Sequence, residues 1–312
     1  MARPAHPLRI VLAAVLAATV AACARTAPPP QPPPQAPPPY QPGPSMPPPP
    51  AGLEAPAARP CLESPGFSEA AIANASSLRT LSWAPFRRPE TGWEIYAPLI
   101  AREIGAACPP TASGFAADLA RWQGGHNLPA DGRMSVVTFE AVKGVLQERR
   151  PFVMLTAGGY CPPHPDQLGL AVPSRSESYG DKLIQVRRGA LAALRQMVAD
   201  ARRQSPEIAS DPRAFQIFSG YRSPESDSFR CLTEGNCQGV TRARCSAHRS
   251  GLAMDLFVGA APGFGPDSSA DENRLHMSRS ATYRWLVANA ARYGFVNYPF
   301  EPWHWEWTGE SP

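Results

Sequence analysis

The chain has 312 residues and a formal net charge of +4, and Lys143 and Lys182 are its only lysines. That length suits about two domains. The mild charge, carried by scattered arginines with no dense basic run among aromatics, excludes a nucleic-acid-binding surface. Residues 1–22 read as a signal peptide. Arg3 and Arg9 supply the positive end, and the apolar run from Ile10 to Ala22 is too short to span a bilayer. No later stretch has a transmembrane pattern.

The run ends in "VAAC", Val20 to Cys23. Small residues before a cysteine resemble the lipobox of bacterial lipoproteins, which implies cleavage before Cys23 and a diacylglycerol on its sulfur. An ordinary signal peptide with a chance cysteine is the alternative. Ala24 stands where retention at the inner membrane would place an aspartate, so the resemblance implies the outer membrane, on the periplasmic side. Residues 23–60 form a linker with 17 prolines between Pro28 and Pro60. Such a tract favours polyproline II and builds no core. At about 3.1 Å per residue it reaches roughly 100 Å. Six further cysteines follow: Cys61, Cys108, Cys161, Cys231, Cys237 and Cys245. An even number in an exported chain predicts disulfides of open connectivity. Cys231, Cys237 and Cys245 also raise a zinc cluster, though they lack the close pairing of such sites.

Residues 61–150 read as a small all-α domain. Ser113 is a candidate N-cap, and Phe115, Leu119 and Trp122 share one helix face. Asp131-Gly132 marks a turn. A second helix spans Thr138 to Leu146, with Phe139, Val142, Val145 and Leu146 inward. The run Trp122-Gln123, Leu128, Asp131-Gly132, Thr138 resembles the peptidoglycan-binding domain found beside many cell-wall hydrolases. It implies a three-helix module that holds glycan or stem peptide, with Trp122, Gln123 and Asp131 as contact candidates. His126 reads as a solvated loop residue.

Residues 151–312 read as an α+β domain, a small antiparallel sheet flanked by helices. The pattern predicts a helix from Ile184 to about Arg203, with Leu191, Leu194, Val198 and Ala201 inward. Strands follow at Ala214–Phe218 and Leu252–Val258. A helix spans Ser280 to Tyr293, with Trp285, Leu286 and Ala290 inward and Gly294 closing it. "GFVNY" and "WHWEW" then pair as closing strands. His164 and His276 read as incidental surface residues.

The chemistry lies in three blocks. "SAHRSGLAMD" places His248 on a loop and Asp255 on the following strand, where the two can converge. A catalytic zinc takes three protein ligands and one open position, and His304 is the natural third. Alternation along "WHWEW" turns Trp303, Trp305 and Trp307 to one face and His304 and Glu306 to the other. Glu301 is the preferred general base beside a zinc-activated water, with Glu306 as the rival set deeper on the strand. "SGYRS", Ser219 to Ser223, puts Arg222 at a loop tip, where it can bind a carboxylate or steady an oxyanion.

In this order, SGYRS, S-x-H-x-x-G-x-A-x-D and E-P-W-H resemble the VanY-type D-alanyl-D-alanine carboxypeptidases, zinc peptidases grouped with lysostaphin-type enzymes and hedgehog domains. The resemblance implies one Zn2+ on His248, Asp255 and His304, Glu301 as base, and Arg222 at the substrate. It adds Ser246, Ser219 and Tyr221 as substrate-binding candidates. The three-cysteine segment before "SAHRS" and the loop after Asp255 depart from the family pattern and leave substrate preference open.

The expected protein is therefore a lipid-anchored zinc peptidase of the cell envelope that acts on peptidoglycan. Removal of a terminal D-alanine and cleavage within stems or cross-links both remain open. A serine mechanism has no support, since neither lysine follows a serine in S-x-x-K spacing. The reading of another class is a non-catalytic peptidoglycan-binding lipoprotein. No protein partner is predicted.

Overall fold

The computed structural model describes residues 60–233 and 245–309. The lipidation candidate Cys23, the proline tract up to residue 59 and Cys237 lie outside the described residues. In chain order the elements begin with α1 (Ser68–Thr80), β1 (Ser82–Trp83), β2 (Glu90–Thr91), α2 (Ala97–Ile104), α3 (Ser113–Gly125), α4 (Val136–Glu148) and α5 (Pro151–Thr156). They continue with β3 (Leu170–Ala171), β4 (Val186–Arg187), α6 (Arg188–Gln204), α7 (Pro206–Ser210), β5 (Ile217–Ser219) and α8 (Pro224–Thr233). The last elements are β6 (Ala253–Leu256), α9 (Asp271–Arg279), α10 (Ala281–Asn289), β7 (Phe295–Asn297) and β8 (His304–Trp307). This is an α+β architecture, helices around small antiparallel sheets. No helix among the described residues is long and apolar enough to cross a membrane.

The first core gathers Phe115, Leu119, Phe139 and Val142, as the helix patterns predict, with Trp93, Tyr96 and Ile100, which no pattern singled out. Ser113 is not a cap. It is the first residue of α3, and its hydroxyl donates to Glu63 at 2.5 Å and accepts from the Ser64 amide at 2.9 Å. Helix α4 starts two residues before the expected Thr138, because Ser135 caps it by accepting the Thr138 amide.

Trp122, Gln123 and Asp131 hold the loop that closes on α3, with Asp131 the exposed member. Trp122 and Gln123 are buried. The Gln123 amide donates to Asp131 Oδ1, the Arg133 carbonyl and Thr138 Oγ1, and its oxygen accepts the Gly132 amide. Asp131 closes the same loop by accepting the Arg133 amide. Gly132 sits at φ 70°, where an added Cβ would lie 2.5 Å from the Ala116 carbonyl oxygen. The "DG" pair is therefore a packing device that lets the loop lie on α3. His126 is exposed and stacks on Trp122. His164 and His276 are exposed, as expected.

The second core surrounds α6 and the four-stranded sheet, with Leu191, Leu194 and Ala201 buried and Val198 packed beside them. The helix begins four residues after Ile184. Ile184 and Val186 are buried, and Val186–Arg187 pairs with β3. The buried Arg187 side chain donates to the Ser250 carbonyl. Helix α10 is capped by Ser280, tightens to a 3-10 turn over Ala290–Tyr293, and ends at Gly294 with φ 79°. Leu286 and Ala290 are inward, whereas Trp285 is half-buried and donates to Gln204.

The sheet has the order β5-β6-β8-β7, antiparallel throughout. Strand β5 starts later than the sequence suggests. Phe215 holds a left-handed conformation (φ 66°), and a turn closes from Ala214 to Asp211. The register aligns Ser219 with Asp255 and Asp255 with His304. Directly opposed residues of antiparallel strands share a face. One row across the sheet thus carries all three side chains.

Disulfides join Cys61 to Cys108 and Cys161 to Cys245, and Cys231 is also disulfide-bonded. This removes the thiolates a Cys231/Cys245 zinc cluster would need. The first bridge closes a sequence separation of 47 residues. Replacing Cys61 and Cys108 together by serine is expected to cost about 3–4 kcal/mol from released chain entropy. Denaturant unfolding checks this, with the midpoint lowered and the slope raised, since the unfolded chain without the bridge expands further.

Candidate metal centre

Three donors meet at the second core. Asp255 and His304 come from facing strands, and His248 comes from a 3-10 turn, Ala247–Ser250, just before β6. Ser246 caps that turn by accepting the His248 amide at 3.1 Å. Gly251 ends it at φ 70°, a conformation glycine adopts without cost. The donor atoms of His248, Asp255 and His304 all lie within 4.8 Å of one another, and the three residues are buried. Asp255 Oδ2 is 3.2 Å from His248 Nε2, and Oδ1 is 2.9 Å from His304 Nδ1.

The outer hydrogen bonds decide what these atoms can do. His248 Nδ1 is 2.8 Å from the Gly220 carbonyl, which can only accept, so Nδ1 carries the proton and Nε2 presents a lone pair. His304 Nε2 is 3.3 Å from Glu306 Oε1, a second obligate acceptor, while Nδ1 faces Asp255 Oδ1 at 2.9 Å, so without a metal this ring holds a proton on both nitrogens. A cation that displaced the Nδ1 proton would meet two nitrogen lone pairs and a carboxylate at one place. Such a cluster calls for a cation. Two histidines and one carboxylate fit zinc, with room for substrate or water at a fourth position.

The charges agree. Asp255 is buried, which alone would raise its pKa, but the charges and hydrogen bonds of His248 and His304 hold it well below the usual carboxylate range. Burial lowers His248. Burial would lower His304 too, yet Asp255 and Glu306 outweigh it and push the metal-free imidazole up to about 9. Burial would raise Glu306, but Arg150 and His304 bring it down to about 2.

Glu301 lies in the turn between β7 and β8. Its amide donates to the Tyr298 carbonyl, and its own carbonyl accepts from His304 and Asn297. Its carboxylate reaches within 3.9 Å of His304 Nδ1 and is half-buried. Burial raises its pKa. It stands beside the donor cluster rather than in it. Glu306 does not share that position. It is 1 % exposed and fully engaged by Arg150, the Phe152 amide and His304. It is a partner of His304, and this tells against its reading as a rival base.

A cavity of about 490 Å³ opens over the cluster, lined by Glu301, Arg222, Ser246 and Ser219 among others. Arg222 donates to Ser246 Oγ at 2.9 Å and to Ser219 Oγ at 3.3 Å. The two serines thus hold the guanidinium. Tyr221 does not line the cavity. Its amide donates to the Gln185 carbonyl, and its ring is half-buried near Glu225. Arg230 and Lys182 line the cavity unforeseen, as does Arg150, which lies far away in sequence.

The model of the VanY family, D-alanyl-D-alanine carboxypeptidase, matches residues 183–310. The matched stretch holds all three donors, Glu301 and Arg222, and α1 to α5 lie outside it. Among solved structures, the chain is similar to the LdcB LD-carboxypeptidase, described as revealing the basis of peptidoglycan recognition. Identity is 25%, TM-score 0.35, over 49% of this chain and 71% of that one. It is also similar to a mutant of the vancomycin-resistance D,D-pentapeptidase VanY in complex with Zn(II). There the identity is 21% and the TM-score 0.27, over 47% of this chain and 84% of that one. No curated protein matches the chain.

The donor set makes a direct prediction. Protein purified with zinc supplied should carry the metal, and His248→Ala or Asp255→Ala should bind it more than about tenfold more weakly, since even outer-shell losses cost that much. Metal analysis by mass spectrometry after dialysis checks this. Unchanged zinc content in both variants contradicts the assignment.

Proposed function

We propose that the protein is a zinc-dependent peptidase that hydrolyses an amide bond of the peptidoglycan stem peptide, removing a terminal D-alanine. The observation that carries the reading is the convergence of two imidazole nitrogens and the Asp255 carboxylate under a cavity, with Glu301 alongside. Its place in the stretch that matches the VanY family supports the substrate class.

When bound, a zinc ion supplies Lewis acidity at the scissile carbonyl and makes a water more acidic. Glu301 takes the proton from the attacking water and returns it to the leaving amine. Its burial raises its pKa toward the range where such a shuttle works best. Arg222, held by Ser246 and Ser219, offers a bidentate partner to the substrate's terminal carboxylate. Arg230 and Lys182 line the same cavity, together with Asp227 and Asp267. A carboxylate held at Arg222 favours a carboxypeptidase over an endopeptidase, since only the former's substrate ends in a free carboxylate at the cleaved bond. Export, lipidation at Cys23 and attachment at the outer membrane complete the proposal, with the proline tract as a tether toward the wall.

Incubation with purified muropeptides, followed by mass analysis, is the test. Loss of one alanine from pentapeptide stems is expected, and splitting of cross-linked dimers would indicate an endopeptidase instead. Glu301→Gln should lower kcat by about 10²–10⁴-fold, the usual worth of a positioned general base, with zinc still bound. If Glu301→Gln turns over muropeptides at the wild-type rate, or the wild type only binds them, the enzyme reading fails.

A further inference from the structure

We propose that Arg150, outside the stretch that matches the VanY family, is a positioning residue for the metal centre and acts through Glu306 on His304. The inference rests on the zinc reading above and adds that residues before 183 take part in shaping the site.

The chain of contacts is continuous. His304 Nε2 faces Glu306 Oε1 at 3.3 Å. Arg150 Nε donates to that same oxygen at 2.7 Å, with Nη2 2.5 Å from it. The other oxygen, Oε2, accepts the Phe152 amide at 2.8 Å, from the first turn of α5. Arg150 is in turn fixed by Gln147 Oε1 at 2.5 Å and stacks on the Tyr298 ring at 4.1 Å. Arg150 is 5 % exposed and Glu306 1 %, so solvent does not screen the pair.

A carboxylate that accepts from the outer nitrogen of a ligating histidine selects the tautomer and aims the ring. Glu306 can do this only while its charge is met, because an uncompensated buried carboxylate is strongly disfavoured. Arg150 and the Phe152 amide meet it, and both belong to α5 and its approach. The family match begins at residue 183 and contains neither.

A second junction ties an earlier segment, residues 90–96, to the β7–β8 turn. Arg274 is fully buried and donates to the Phe300 carbonyl at 2.8 Å. It also donates to the Tyr96 hydroxyl at 2.5 Å and pairs with Glu90 at 3.1 Å. Phe300 directly precedes Glu301. Segments before residue 183 thus reach the β7–β8 turn at Phe300, next to Glu301, and strand β8 at Glu306, two residues after His304.

The test is zinc affinity, measured by competition with a chromophoric chelator on the full chain, with near-ultraviolet circular dichroism reporting the fold. Arg150→Met and Glu306→Gln should each bind zinc about 10–100-fold more weakly, as losses in the outer shell of metal sites do. The double variant should be no weaker than Glu306→Gln alone, which a merely structural role for Arg150 would not produce. Arg279→Ala, which removes an exposed ion pair to Glu94 between the same segments, should leave affinity within about twofold. Wild-type affinity in folded Arg150→Met, or additive losses in the double variant, overturns the proposal. Should Arg150→Met not fold, Glu306→Gln decides, and wild-type affinity in it overturns the proposal equally. A wild type that binds no zinc sinks the metal reading as well. Tight wild-type binding with unaffected variants sinks this inference alone.

Discussion

Asp255 is a buried carboxylate that must be met by positive charge, and the rest of the site follows from how that need is satisfied. Its two oxygens face two imidazole nitrogens, and the other nitrogen of each ring has its own acceptor. Without a metal the required charge is a proton on His304. A divalent cation in its place would satisfy all three donors at once. Removing one member of a buried charged set typically costs about 3–5 kcal/mol, so the arrangement is held as a unit.

Few residues of regular structure build it. Strands β5, β6 and β8 are only three or four residues long, yet their register aligns Ser219, Asp255 and His304 in one row. The opposite face of β8 buries Trp305, and Trp303 just before the strand is buried in the same core. Alternation thus lets one segment serve as core wall and as cavity floor. The Arg150–Glu306 pair then joins the start of α5 to this sheet, and Arg274–Glu90 joins β2 to α9, each in a setting solvent does not screen.

Much of this was legible in the sequence, for physical reasons that differ by residue. His248, Asp255 and His304 could be named because the chemistry demands those residue types and alternation dictates facing. The core positions of α3, α4 and α10 followed from helical periodicity. Less legible was whatever depends on a distant partner. Ser113 looks like a cap until Glu63 and the Ser64 amide claim its hydroxyl. Ile184 and Val186 look like a helix start until β3 pairs with Val186. Gln123 resembles a binding residue, but its amide is consumed by the loop at Gly132. Glu306 was rightly placed on the face of His304, but its partner Arg150 lies 156 positions away and no local pattern points to it. Tyr221 sits in the same motif as Arg222 yet does not reach the cavity.

X-ray absorption at the zinc edge of the purified full-length protein tests the central claim most directly. The account predicts bound zinc with two imidazole nitrogens, oxygen donors for the remainder and no sulfur, and loss of one imidazole signal in His304→Ala. A sulfur shell, or an unchanged spectrum in His304→Ala, would contradict it.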